Sequence, residues 1–176
     1  MTEHQKIQIS KLDAARAQLE TAIQLYFTNE NEVAVHTLAT AAHQVFHDVS
    51  KKRGGPPSIR GFQFVRPGFE KEWRQTVTAE QNFFKHADRD PDEVLEFMPR
   101  KTLAFMIDGC QLYRSLATDW PPLFKLFTVW MAIIRKPELL VPAAEDEEFY
   151  RYFRGKYGEE ERLRFYQELG PDRPRK

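Results

Sequence analysis

The spacing of apolar residues along the chain predicts an all-helical protein. Apolar side chains recur at three- and four-residue steps over residues 11–27 and 32–49, which places them on one face of an α-helix. The same spacing predicts further helices over residues 67–87, 99–117, 122–135 and 144–169, the last interrupted at 155–158. Strand-like alternation is confined to Phe62 and Phe64. We therefore predict a single all-α domain, an irregular helical bundle of about five to six helices.

Local signals set the expected ends and faces of these helices. Ser10 is a predicted cap of the first helix, and the short connection at residues 29–32 favours an antiparallel pair of the first two helices. Pro67 is expected to open the third helix. Its predicted core face consists of Phe69, Trp73, Val77 and Phe84. The very apolar helix that follows Pro122 is expected to be central.

A long basic loop over residues 51–67 separates the second and third helices. It contains Gly54, Gly55 and Gly61 and lacks helical spacing. From residue 51 to residue 74 there are seven basic and two acidic residues, a net charge of +5 on a chain whose total charge is zero. Such a loop can hold a phosphate or carboxylate, and the candidate ligand-binding residues are Arg53, Arg60 and Arg66. The alternative is a solvated, mobile loop, and the spacing of a nucleotide-binding P-loop is absent.

Three histidines form a narrow stripe on the second helix. His36, His43 and His47 flank the apolar face, and the four-residue step between the last two allows both to reach one metal ion. His86 or Asp88 would supply a third ligand. The alternatives are hydrogen bonds with a neighbouring helix, or a role in acid–base catalysis or substrate binding.

The segment NFFKHADRDPDE, residues 82–93, concentrates polar side chains. Its aspartates resemble the start of a calcium loop, but no glycine stands at the required turn position. Asp90 and Pro91 are instead typical of a helix start, so we predict a helical turn over residues 92–97. Four residues of the segment remain unexplained, and together with His36 they are the best candidates for catalytic residues: Asn82, Lys85, His86 and Asp88.

Composition narrows the possible partners and surroundings. Acidic and basic residues number 26 each, so net charge does not support binding to nucleic acid or to a membrane. Cys110 is the only cysteine, which suits a reducing cytoplasm, and the first residues do not resemble a secretory signal. Phe149, Phe153 and Tyr157 form a helix face expected to dock on the core or on a second subunit. Residues 170–176 are predicted to be a disordered tail.

Two motifs resemble an uncharacterised group of bacterial all-helical proteins. They are VHTLATAAHQVFHD, residues 35–48, and NFFKHADRDPDEVLEF, residues 82–97, and the likeness extends from about residue 10 to residue 129. The resemblance implies a cytoplasmic bacterial protein and points to His36 and to the polar residues 82–88, but it implies no activity. A looser similarity to HEPN helical domains implies no ribonuclease activity, because residues 79–82 before His86 contain no arginine.

Two functions are consistent with these patterns. The first is a binding or interaction module, expected to be a homo-oligomer such as a homodimer, with a polar cleft for a partner or small anionic ligand between the second and third helices. The second is a hydrolase acting on phosphodiesters or assisted by a metal, with His86 as acid or base, Lys85 stabilising charge and Asp88 orienting the imidazole. The sequence requires no cofactor for either, and whether the chain is an enzyme stays open.

Overall fold

The computed structural model describes residues 6–28, 31–63, 65–88, 90–134 and 147–171. Within these ranges the chain contains helices and connecting segments but no strand, which confirms the all-α prediction. The α-helices are α1 (Lys11–Phe27), α2 (Glu32–Lys52), α3 (Glu70–Phe83), α4 (Thr102–Leu116), α5 (Pro122–Ile134), α6 (Glu147–Lys156) and α7 (Arg162–Leu169). Short 3₁₀ turns at Pro99–Lys101 and Glu159–Glu161 precede α4 and α7. Because α6 and α7 are separate, the described part has one more helix than expected.

Side-chain caps begin the first two helices. The Ser10 hydroxyl accepts a hydrogen bond from the Asp13 amide at 3.1 Å, as predicted. The Asn31 side chain accepts from the amides of Val33 and Ala34. These contacts satisfy amide groups that have no partner within the helix. α1 and α2 pack directly against each other, and α2 also packs against α4.

The hydrophobic core lies among α1, α2, α4, α5 and α7. Phe27, Trp130 and Phe165 are fully buried, and their rings contact one another with centroid separations of 5.0 to 5.9 Å. The indole of Trp130 donates to the Tyr26 hydroxyl at 2.9 Å, so a polar group taken out of water retains a partner. Trp130 belongs to α5, and the expectation that this helix is central is confirmed.

Helix α3 differs from its prediction in bounds and in burial. It begins at Glu70 because Gly68 adopts a φ of 95°, in the left-handed region, which a helix cannot continue through. Phe69 is 57% exposed and Trp73 is 36% exposed, so the predicted core face is wrong for these residues. The buried residues of α3 are Glu80 and Gln81. Polar contacts therefore attach this helix to the bundle, which hydrophobic spacing does not indicate.

The segment after α3 also differs. α3 ends at Phe83 instead of near residue 87, and the amides of Lys85 and His86 both bond to the Asn82 carbonyl. A single turn joins the Glu93 amide to the Asp90 carbonyl at 3.1 Å. The predicted helical turn over residues 92–97 is wrong, since residues 93–98 have no regular structure.

The C-terminal helices pack on the core of their own chain, which is one of the two predicted arrangements, the other being docking on a second subunit. Tyr157 is buried and stacks on Phe153 with a centroid separation of 6.1 Å. Tyr157 also meets Phe165 edge-on at 5.3 Å. The side chain of Phe149 and residues 172–176 of the predicted tail lie outside the described part. Among the described helices, none combines the length and the apolar character that crossing a membrane would require.

Candidate functional site

A single arginine of the basic loop is buried at the junction of α2, α3 and α4. Arg60 is 9% exposed. Its Nε donates to Nδ1 of His43 at 3.0 Å, and its Nη2 donates to the Thr40 carbonyl at 3.2 Å and to Oε1 of Gln81 at 2.8 Å. Its backbone amide donates to the Ser58 hydroxyl. These contacts fix both the loop and the orientation of the guanidinium group.

His43 connects Arg60 to a carboxylate on α4. Because Nδ1 of His43 accepts from Arg60, the ring proton lies on Nε2, which is 2.6 Å from Oδ2 of Asp108 and donates to it. The same oxygen accepts from the Ile59 amide at 3.0 Å. Burial is the main cause that lowers the pKa of His43, so the imidazole is neutral. Both ring nitrogens are occupied, and His43 therefore positions Arg60 instead of acting as a free base.

A second histidine–loop contact lies beside Arg60. Nδ1 of His47 is 2.7 Å from the Ser58 hydroxyl oxygen. That oxygen also accepts from the Arg60 amide, so Ser58 connects the His47 ring to the backbone of the loop. Burial is also the main cause that lowers the pKa of His47.

These groups border a cavity of about 300 Å³ under the loop. We call it the Arg60 cavity. Its lining includes Lys51, His47, Ser58 and Arg60 together with the ring of Phe62. Two basic side chains, a hydroxyl and an imidazole thus converge on one space, which is the donor set that proteins use for phosphate and carboxylate groups.

The charge of Arg60 has no direct counter-ion among the described residues. Its hydrogen-bond partners are an imidazole nitrogen, a carbonyl and an amide oxygen, all neutral acceptors. Burial lowers the pKa of Arg60 to about 10, with Asp48 offsetting part of this effect; the guanidinium is still charged at neutral pH. Arg60 thus lines the Arg60 cavity without a carboxylate among its hydrogen-bond partners.

A second, wider cavity of about 640 Å³ lies at the end of α3. We call it the acidic cavity. Asn82, His86 and Asp88 line it with Asp90 and Glu93, so three of the predicted catalytic candidates do meet. Lys85 is exposed and is not part of the lining.

None of the α2 histidines lines the acidic cavity. His36 is buried, with Nδ1 2.8 Å from the Thr102 hydroxyl. The rings of Phe84, Phe97 and Phe105 surround it edge-on at centroid separations of 5.2 to 5.8 Å. His36 is therefore surrounded by aromatic rings and does not line the cavity of His86, with which it was grouped.

The other predicted ligands are dispersed. Arg53 borders a different cavity and lies 3.4 Å from the Leu116 carbonyl, whereas Arg66 is exposed. Of the three candidate arginines, Arg60 alone lines the cavity under the loop.

Within the described residues there is no group of three or more side chains placed to hold a metal ion. The His43 nitrogens that the metal prediction needs are occupied by Arg60 and Asp108.

Sequence patterns did not point to Asp108, Ser58 or Gln81. Asp108 had a detectable signal, since it is the one charged residue in the apolar stretch TLAFMIDGCQLY of α4. A lone carboxylate beside buried positions calls for a hydrogen-bond donor from another element. Ser58 and Gln81 carried no comparable signal, because serine in a loop and glutamine on a helix are ordinary surface residues.

Comparison of the chain with protein-family models, with curated protein sequences and with solved structures gave no significant match. The resemblance to bacterial helical proteins thus stays a prediction from the two motifs.

Proposed function

We propose that this protein is a helical binding module for a small anion of the phosphate class, held in the Arg60 cavity. The observation that carries the proposal is the buried guanidinium of Arg60, which has only neutral hydrogen-bond partners although its residue lines the cavity. The cleft differs from the predicted one in composition. Its lining residues come from the loop and α2, with none from α3, contrary to the prediction, and they include Arg60, Lys51, His47 and Ser58 instead of the residues around His86.

Electrostatics favour an anion at this position. A buried charge without an opposite charge loses its hydration energy and regains only part of it from neutral acceptors. A bound anion would supply the missing opposite charge and the acceptor of a charge-assisted hydrogen bond. Lys51 lines the same cavity and adds a second positive charge at the solvent side. The site is therefore less stable empty than occupied.

The Asp108–His43 pair supports binding by holding the guanidinium in place. A neutral His43 that accepts from Nε leaves Arg60 with its full charge, while the carboxylate of Asp108 is kept away from the cavity by the width of the imidazole. A direct Arg60–carboxylate pair would compete with an incoming anion. The intervening histidine avoids that competition.

Isothermal titration calorimetry with inorganic phosphate tests the proposal. For five heavy atoms we expect a dissociation constant between about 10 μM and 1 mM. Arg60→Met keeps the length of the side chain and should abolish binding. Arg66→Met removes an exposed arginine of the same loop and should leave binding unchanged. Loss of affinity in both variants, or in neither, would contradict a site centred on Arg60.

Other expectations stay proposals beside this one. The hydrolase alternative placed a histidine of α2 opposite His86, and the acidic cavity contains no such residue. The expectation of a homo-oligomer has less support, because Tyr157, one residue of the face proposed to contact a second subunit, packs inside the chain. Light scattering during size-exclusion chromatography measures the oligomeric state directly. The expectation of a cytoplasmic location is supported by the single cysteine.

A further inference from the structure

The Arg60 cavity joins its basic groups to an exposed aromatic ring. Phe62 lines the cavity and is 38% exposed. The guanidinium of Arg74, from α3, lies over this ring at 5.4 Å from its centroid. A ring held from one side by a cation can accept a planar group on its accessible part.

The volume of the cavity exceeds what a bare anion fills. At roughly 30 Å³ for each water molecule, a cavity of about 300 Å³ holds the equivalent of about ten waters, and it is at the lower end of the range of about 300–1,000 Å³ for small-molecule sites. The cavity therefore has room for a ligand larger than its anionic group.

We propose that the ligand is a nucleoside monophosphate, with its phosphate on Arg60 and Lys51 and its base stacked against Phe62. This assignment rests on the proposed function and adds the chemical class of the ligand. Stacking on an aromatic side chain accepts any base, whereas the buried donor selects the phosphate. His47 and Ser58 also line the cavity.

A free nucleotide fits these features better than a single-stranded nucleic acid. Nucleic-acid affinity comes from many phosphate contacts along a basic groove, and this cavity presents one buried guanidinium with one exposed lysine. The chain as a whole has a net charge of zero. A single terminal phosphate matches the single buried donor.

Titration calorimetry with three compounds tests the assignment: inorganic phosphate, ribose 5-phosphate and adenosine 5′-monophosphate. The nucleotide should bind at least about tenfold more tightly than ribose 5-phosphate, because stacking adds to the phosphate contact. Phe62→Ala should remove this difference while leaving the affinity for ribose 5-phosphate unchanged. Phe69→Ala, which removes an exposed ring outside the cavity lining, should bind like the parent protein. Phe62→Leu keeps an apolar side chain without a flat ring and should behave like Phe62→Ala.

The possible outcomes separate the two proposals. Equal affinities for the nucleotide and for ribose 5-phosphate would overturn the nucleotide assignment and leave the anion module standing. Failure of all three compounds to bind would overturn both. Tighter binding of a single-stranded oligoribonucleotide without a terminal phosphate would also overturn the assignment, in favour of nucleic acid.

Discussion

Arg60 and His43 form a hydrogen bond of 3.0 Å that determines the protonation of the histidine and the direction of the arginine together. With Nδ1 accepting from Arg60, the imidazole can only donate from Nε2, and Asp108 receives that proton at 2.6 Å. The guanidinium thus donates to the imidazole, and the imidazole donates to the carboxylate. A loop with few apolar anchors is in this way attached to α2 and α4 by polar contacts.

Replacing Asp108 tests this attachment. Asp108→Ala leaves the His43 Nε2–H and the Ile59 amide without an acceptor, so we expect a loss of about 2–5 kcal/mol in the free energy of unfolding. Asp108→Asn retains an oxygen acceptor and should lose less than about 2 kcal/mol. Urea denaturation gives both values, and amide hydrogen exchange at Ile59 should accelerate in the alanine variant. Equal stability of the two variants would mean that the carboxylate oxygen does not hold the loop.

His36 should make stability depend on pH. Burial, the largest cause, lowers the pKa of His36 from 6.5 to about 4, with Glu80 opposing it and Arg60 and Lys101 adding to it. The folded chain disfavours the charged form, so the stabilising contribution is complete above pH 6.5 and is lost as the pH falls towards 4. Its size is on the order of 3 kcal/mol.

The matching variant is His36→Phe, which places a phenyl ring among Phe84, Phe97 and Phe105. Its free energy of unfolding should fall less than that of the parent protein between pH 6.5 and pH 4, since no imidazole has to be protonated. The difference between the two pH curves isolates this histidine from the carboxylates that titrate in the same range. Parallel curves would show that His36 is protonated as readily in the folded chain as in the unfolded one.

Gly109 provides a test of the packing between α1, α2 and α4. A Cβ at this position would lie 3.2 Å from Cδ2 of Leu19 and 3.8 Å from Cδ2 of Phe46. In Gly109→Ala a helix-propensity gain of about 1 kcal/mol opposes this crowding, so the net change should stay within about 1 kcal/mol. Gly109→Val adds two further carbons and should destabilise the fold by about 1–3 kcal/mol. A stable valine variant in denaturant titrations would indicate looser packing at this helix contact.

Cys110 can report on opening of the core. The thiol is fully buried, and burial raises the pKa of Cys110, so both access and thiolate formation limit its reactivity. Alkylation by iodoacetamide at pH 8 should be at least about 100-fold slower in the folded chain than in denaturant, because labelling requires opening of the helix contacts. Rapid labelling of the native protein would contradict the packing of α4.

Apolar spacing is sufficient to predict the helices that bury an apolar face. The positions of α1, α2, α4 and α5 follow from apolar spacing and from caps such as Ser10, because burial of a continuous stripe dominates the free energy of each. The sequence also identified Arg60 as a candidate ligand-binding residue, but it gave Arg53 and Arg66 the same status. Charge composition distinguishes a basic loop from its surroundings but treats its arginines alike.

Which polar residues contact one another depends on the packing of helices that are distant in the sequence. Helix α3 is attached through Glu80 and Gln81, and the site joins Asp108 of α4 to His43 of α2 and Arg60 of the loop. These residues are 17 to 65 positions apart in pairs, and no local spacing connects them. Hydrophobic periodicity records how one helix faces the core, whereas a hydrogen-bond network depends on the relative placement of several helices. That placement is fixed by long-range packing, which brought His43 to Arg60 and buried His36 among phenylalanine rings.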